Sequence, residues 1–119
     1  MSEQRESNGR IEVAPNVLTS IARMTALKIE GVRKLTNPPA EVTRMFRRAT
    51  RHDGMVLSQQ AEGLVFDLYV LMDPHVNVME TSRKLQAAIV EAIDKMVGVP
   101  VAAVNIHVED VVYVQGDTA

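Results

Sequence analysis

The stretch GLVFDLYVLMDPHVNVMETSRKLQAAIVEAIDKMVGVPVAAVNIHVE, from Gly63 to Glu109, decides the fold. Its first segment, Gly63 to Met72, alternates between two sets of side chains, and this period of two is typical of a strand with one buried face. After a turn through residues 73–75, apolar side chains recur at the period of a helix, which we predict from Val78 to Val97. A second strand from Val101 to Asp110 completes a β-α-β unit that lays one helix across a sheet.

Both ends of this helix are specified by its flanking residues. Asn77 is a favourable N-cap with Glu80 three residues further on, and Gly98 stands where a left-handed C′ residue is wanted. The stripe predicted to face the core consists of Val78, Leu85, Ile89, Ala92, Ile93 and Met96.

The residues before this unit supply the remaining elements. We predict a short edge strand at residues 10–13 (RIEV), a helix from Pro15 to Glu30 ended by Gly31, and a short strand or extended connection from Val32 to Leu35. Asn37-Pro38-Pro39 then breaks the chain before a short arginine-rich helix that reaches His52. A strand from Met55 to Gln60 follows, and a hairpin turn through Ala61-Glu62-Gly63 leads into the central strand.

These elements predict an α+β fold, a two-layer sandwich in which two long helices lie on one face of a small mixed sheet, in the order β-α-β-β-α-β. We expect a single domain over residues 10–114, a disordered leader at 1–9 and a frayed tail at 115–119. The residues predicted to point into the core are Ile21, Phe66, Leu68, Val70, Leu85, Ile89, Val104, Ile106 and Val108.

The other face of the sheet is half apolar, so we expect it to meet another subunit or a partner. Its predicted interaction residues are Val65, Asp67, Tyr69, Leu71, Asn105 and His107. The same face permits two weaker interpretations. Asp67 could orient His107 as a general base, although no nucleophile is evident, and His107, Glu109 and Asp67 could bind a metal. One imidazole is a poor metal signal, and His52 and His75 fall in turns, so we predict neither a cofactor nor a metal.

Charge is unevenly distributed along the 119 residues, which have a net charge of −2 and no cysteine. Residues 33–52 have six basic residues and one acidic residue, a net charge of +5. If the segment is helical, one side of it has a stripe formed by Arg44, Arg47, Arg48 and Arg51. Four interpretations stay open for this stripe: a solvated face, anionic lipid, an acidic protein, or nucleic acid. The few aromatic residues and the absence of GxxG and phosphate-binding glycine motifs disfavour nucleic acid.

Three stretches resemble the bacterial alkaline shock protein family, also called the envelope stress response family. They are IEVAPNVLTSIARMTALKIEGVRKL, GLVFDLYVLM and VMETSRKLQAAIVEAIDKMVGVPVAAVNIHVEDV, which together span about residues 11–111. The shared motifs include Glu30-Gly31-Val32, Gln86 in the second helix, and Val104-Asn105 in the last strand. The resemblance implies a non-enzymatic cytoplasmic protein without catalytic residues, held in some members at the membrane by a separate anchored partner.

The leading hypothesis is therefore a self-associating interaction module of the envelope stress response, homo-oligomeric and near the cytoplasmic face of the membrane. The polar start of the chain and the lack of an apolar run of ~18 residues predict no membrane span of its own. The alternative is a small α+β domain that binds RNA or DNA through the arginine stripe.

Overall fold

A computed structural model describes residues 9–40, 50–51 and 54–111. Two helices and five strands occur in these residues: α1 (Pro15–Leu27), β1 (Val32–Leu35), β2 (Thr50–Arg51), β3 (Met55–Gln60), β4 (Gly63–Met72), α2 (Val78–Met96) and β5 (Val101–Val111). No helix in this part of the chain is long and apolar enough to cross a membrane.

The five strands form one mixed sheet with β4 at its centre. Along one edge of β4, antiparallel β3 pairs from Gly63 to Leu68 and antiparallel β1 pairs from Val70 to Met72. The backbone of Tyr69 joins these two neighbours, because its N–H donates to the Gly54 carbonyl and its carbonyl accepts from the Thr36 N–H. β5 runs parallel to β4 along the opposite edge, and β2 extends the sheet beyond β3. The α+β architecture and the β-α-β unit are thus confirmed.

The core lies between the sheet and the two helices, as the alternation of β4 predicts. Its largest fully buried side chains include Phe66 and Leu68 from β4, with Leu85 and Ile89 from α2. Each such side chain stabilises the fold by about 1.5–3 kcal/mol relative to an exposed position. Of the residues predicted to point inward, seven are buried in this core, while Ile106 and Val108 are partly buried against it. α1 adds Leu18, Ile21, Ala22 and Ala26.

The caps of α2 are confirmed in detail. The side chain of Asn77 accepts a hydrogen bond from the Glu80 N–H at 2.9 Å, which satisfies one free donor at the start of the helix. At the other end Gly98 has a φ of 76° and donates to the Ile93 carbonyl at 3.0 Å. Met96, which the helical period places on the core side, is instead 65 % exposed in the last turn.

One predicted strand and the ends of two predicted helices are wrong. Residues 10–13 form no strand, and Arg10 pairs with Glu12 at 3.0 Å in solvent. α1 ends at Leu27 rather than Glu30, because the next residues tighten into turns that end at Gly31, whose φ is 102°. Thr50 and Arg51 belong to strand β2, so the prediction of a helix that reaches His52 is wrong at these two residues. Most of the segment predicted to form that helix lies outside the described residues.

Candidate functional site

Four polar and aromatic side chains meet on the sheet face opposite the helices. The parallel register of β4 and β5 places Asp67 directly beside Asn105 and Tyr69 directly beside His107. Side chains two residues apart on a strand share a face, so the two pairs form one cluster. The alternation of each strand predicted only that its own two side chains share a face, and the pairing of β4 with β5 brings the side chains of the two strands together.

Asp67 is the centre of the hydrogen bonding. Its Oδ1 lies 2.9 Å from Nε2 of His107 and accepts a hydrogen bond from Nδ2 of Asn105 at 3.2 Å. The residue is only 6 % exposed, and a buried carboxylate needs such partners because it has lost its hydration. These contacts join the two parallel strands through side chains as well as through the backbone.

The ring of Tyr69 covers one face of the His107 imidazole. The ring centroids are 4.4 Å apart and the planes differ by 9°, which is a stacked arrangement. Burial raises the pKa of the Tyr69 hydroxyl above its ordinary value of 10.0, and the carboxylates of Asp67 and Glu109 raise it further. Both causes disfavour a negative charge at this position, so the hydroxyl stays neutral over a wider pH range than a free tyrosine.

This face is less open than the sequence predicts. Tyr69 and Asp67 point away from the helices as expected, but Tyr69 is only 3 % exposed, and Val56 beside them on β3 has no exposed surface. The expectation of a bare second face is therefore wrong for its centre, because alternation assigns a side chain to a face without showing what else in the chain packs there. Of the predicted interaction residues, the accessible ones are Val65, Leu71, Asn105 and His107.

The cluster contains the acid-base pair that the sequence suggests, Asp67 and His107. His107 is hydrogen-bonded to Asp67 and stacked on Tyr69, and in the part of the chain that the structure describes no Ser or Thr hydroxyl forms a hydrogen bond with it. Within the described residues no group of three or more His, Cys, Asp or Glu is placed to hold a metal ion. The arrangement is well suited to fixing β4 against β5.

The arginine stripe cannot be followed as a unit. Arg44, Arg47 and Arg48 lie outside the described residues, and Arg51 is in strand β2 instead of on the predicted helix. Arg33, which contributes to the positive charge of residues 33–52, forms an ion pair with Asp73, with 2.6 Å between Nε and Oδ1. One of the six basic charges is thus neutralised at the end of the sheet.

Two features of the structure were not predicted from the sequence. Nε2 of Gln86 on α2 donates to the Val104 carbonyl of β5 at 2.9 Å, which ties the helix to the strand. The Oγ of Ser58 is buried without a hydrogen-bond partner on the same face as Asp67. Gln86 is part of the motif that carries the family resemblance, whereas a serine in an alternating strand gives no signal of this kind.

Fold and site together define a small two-layer α+β domain in which a polar cluster fixes two parallel strands. A family model described as the alkaline shock protein 23 family, with a cell envelope-related function, matches residues 3–113. The chain belongs to this family, as the resemblance of its motifs predicts.

Two bacterial relatives agree with this placement. Uncharacterized protein Spy1535 of Streptococcus pyogenes is 34 % identical over 105 residues, covering 87 % of this chain and 80 % of the relative. Uncharacterized protein YqhY of Bacillus subtilis is 25 % identical over 111 residues, covering 92 % and 80 %. Two MamM-CTD structures each have a TM-score of 0.48 and 12 % identity over 82 % of this chain, with 98 % and 99 % of their own chains covered.

Proposed function

We propose that this protein is a non-enzymatic interaction module of the cell-envelope stress response, which self-associates and is held at the cytoplasmic face of the membrane by an anchored partner. The family's cell envelope-related function supports the setting, and the edge of β5 supports the self-association.

The free edge of β5 is the observation that carries the proposal. β5 runs from Val101 to Val111 and pairs with β4 on one side, while the described part of the chain offers no strand on its other side. An unpaired strand edge of this length exposes a row of backbone donors and acceptors that another chain can use. Natural proteins usually keep such an edge short or place charged residues on it. The middle of β5 has no charged residue, since its sequence is Ala102-Ala103-Val104-Asn105-Ile106.

Self-association is tested by sedimentation velocity of the full chain over a concentration series from low to high micromolar. The proposal expects the weight-average mass to rise with concentration and to exceed that of one 13.1 kDa chain. A mass that stays at one chain throughout the series contradicts the self-associating module.

The membrane partner is tested separately with membranes from the cells that express the protein. We expect the purified chain to sediment with these membranes and to lose binding when their surface proteins are removed by protease. Vesicles of phosphatidylglycerol and phosphatidylethanolamine serve as the protein-free control. Equal binding to the vesicles and to the untreated membranes would contradict a protein anchor and would favour direct contact with lipid headgroups.

A further inference from the structure

A groove of about 560 Å³ lies between α2 and the start of β5. One wall is formed by residues 99–101, and the other is a side of α2 with six exposed residues: Arg83, Gln86, Ala87, Val90, Glu91 and Asp94. Each of these positions has another three or four residues away, so they form a continuous strip along the helix. Val90, at the middle of the strip, is 42 % exposed.

The order of side chains along this strip is self-complementary. When the strip is laid antiparallel against a copy of itself, with the centre between Ala88 and Ile89, Arg83 falls opposite Asp94 of the second copy. Ala87 then falls opposite Val90, and Gln86 falls opposite Glu91. Each contact occurs twice, so the pattern consists of an apolar centre, an amide-carboxylate pair beside it, and opposite charges at both ends.

We propose that a second copy of this chain occupies the groove side of α2, with the two α2 helices packed antiparallel about a two-fold axis next to residues 88 and 89. The inference rests on the proposed self-association and names its interface. In a two-fold contact the same patch meets itself, so a favourable strip must be complementary to its own reverse. Of the charged ends, Arg83 and Asp94 have no ion-pair partner within the described residues.

The start of β5 belongs to the same surface, because residues 99–101 form one wall of the groove. The hydrogen bond from Gln86 to Val104 holds α2 against β5 in each copy.

Other charges near the strip do not break the pattern. Glu91 pairs with Lys95 at 3.0 Å, but both side chains are largely exposed, so this pair leaves Glu91 free to meet an amide. Lys84 is exposed and is not among the residues that line the groove. It therefore provides a control with the same charge as Arg83.

The test is charge reversal, measured as the dimer dissociation constant by sedimentation of the full chain. Arg83→Asp places two carboxylates opposite each other at both ends of the strip, and we expect the constant to rise by about tenfold or more. Asp94→Arg should have the same effect through repelling arginines. Lys84→Asp changes the net charge equally but lies off the strip, so the constant should stay within about threefold of the wild-type value.

A double variant that restores the opposite charges distinguishes the two-fold contact from a general effect of net charge. In the double variant Arg83→Asp/Asp94→Arg the opposite charges return, and the dissociation constant should recover to near the wild-type value. Mixing the two single variants should likewise give a mixed dimer, because each reversed residue then faces its opposite. Circular dichroism of every variant checks that the domain is folded.

Each remaining outcome has a definite meaning. If the wild type self-associates but Arg83→Asp weakens it no more than Lys84→Asp, or if the double variant stays weak, this interface is wrong while the proposed function survives. A second copy that binds by strand addition at β5 alone would give that result. If the wild type is a monomer at all concentrations, the self-association and this interface fail together.

Discussion

At the scale of single residues, the polar contacts of the second sheet face converge on Asp67. Its carboxylate accepts from Asn105 and lies within hydrogen-bond distance of His107, and both partners belong to the neighbouring strand. Hydrogen bonds to a charged, buried acceptor contribute more than those between neutral groups. Asp67 is therefore expected to matter for stability, whereas an exposed carboxylate on the same face is not.

This difference can be measured with a matched pair of variants. Asp67→Ala removes the shared acceptor and leaves its partners without it, so we expect the free energy of unfolding to fall by about 1–3 kcal/mol. Glu109→Ala removes an exposed carboxylate from β5, and its effect should stay within about 0.5 kcal/mol. Urea denaturation followed by circular dichroism gives both values, and equal losses in the two variants would show that Asp67 has no special role.

Tyr69 gives a prediction about alkaline pH. Because its pKa is raised in the folded protein, the folded state holds the phenolic proton more tightly than the unfolded chain, whose pKa is 10.0. Its contribution to stability is therefore fully present below pH 10 and is lost as the pH rises through the folded pKa. The free energy of unfolding should fall above pH 10 more steeply in the wild type than in Tyr69→Phe.

The comparison isolates Tyr69, because Tyr113 and all other titrating groups are present in both proteins. Denaturant titrations at neutral pH and at several values above 10 provide the measurement. Parallel curves for the two proteins would mean that the hydroxyl has the same pKa in the folded and unfolded states.

At the scale of elements, the junctions between strands depend on glycine. Gly54 precedes β3 with a φ of 79°, and a Cβ there would lie 2.6 Å from Cβ of Leu35 and 2.7 Å from the carbonyl oxygen of Thr36. Gly98 after α2 has a similar φ of 76°, but a Cβ there would meet nothing within 4 Å. The two positions therefore share a left-handed conformation and differ in steric contact.

Alanine at each position separates these two contributions. Gly98→Ala should cost about 1 kcal/mol, the strain of the left-handed conformation alone. Gly54→Ala adds a clash with the end of β1, so we expect a loss of about 2–4 kcal/mol. Thermal and urea unfolding of both variants give the comparison, and a loss at Gly54 no larger than at Gly98 would show that β1 can move away at little cost.

The elements also show how far sequence reasoning reaches. The alternation of β4 and the caps of α2 were predictable because each is a local signal that agrees with the fold. Alternation at residues 10–13 was equally regular but produced no strand, because these residues pair with no strand of the sheet and Ile11 is 87 % exposed. The strand at Thr50 and Arg51 follows from hairpin pairing with Leu57 and Val56, which the helical period of the preceding residues does not reveal.

The polar cluster was predictable only in part, because it depends on which strands pair and in which register. A period of two places Asp67 with Tyr69 and Asn105 with His107, but the parallel register that joins the two pairs appears only in the folded chain. The burial of Tyr69 depends on how the rest of the chain covers the sheet, and no pattern within the strand encodes that.

At the scale of the whole molecule, the sequence contains no cysteine, so the proposed dimer can be tested by disulfide cross-linking between introduced cysteines. Any disulfide must then come from an introduced residue, so its position reports directly on which surfaces meet. A disulfide requires Cα atoms about 4.4–6.8 Å apart, a distance that opposite residues of closely packed helices can reach and distant surface positions cannot.

Ala87 and Val90 lie opposite each other across the proposed two-fold axis, so Ala87→Cys mixed with Val90→Cys should form disulfide-linked dimers under mild oxidation. Both residues are exposed in the single chain, and their replacement should leave the core intact. Lys34→Cys, on β1, is equally exposed and lies along the edge of β4 opposite β5, so it should remain uncross-linked at the same concentration. Non-reducing electrophoresis separates the species. Cross-linking of Lys34→Cys to the same extent would indicate random collision, and a lack of cross-linking between the α2 variants would indicate that self-association uses another surface.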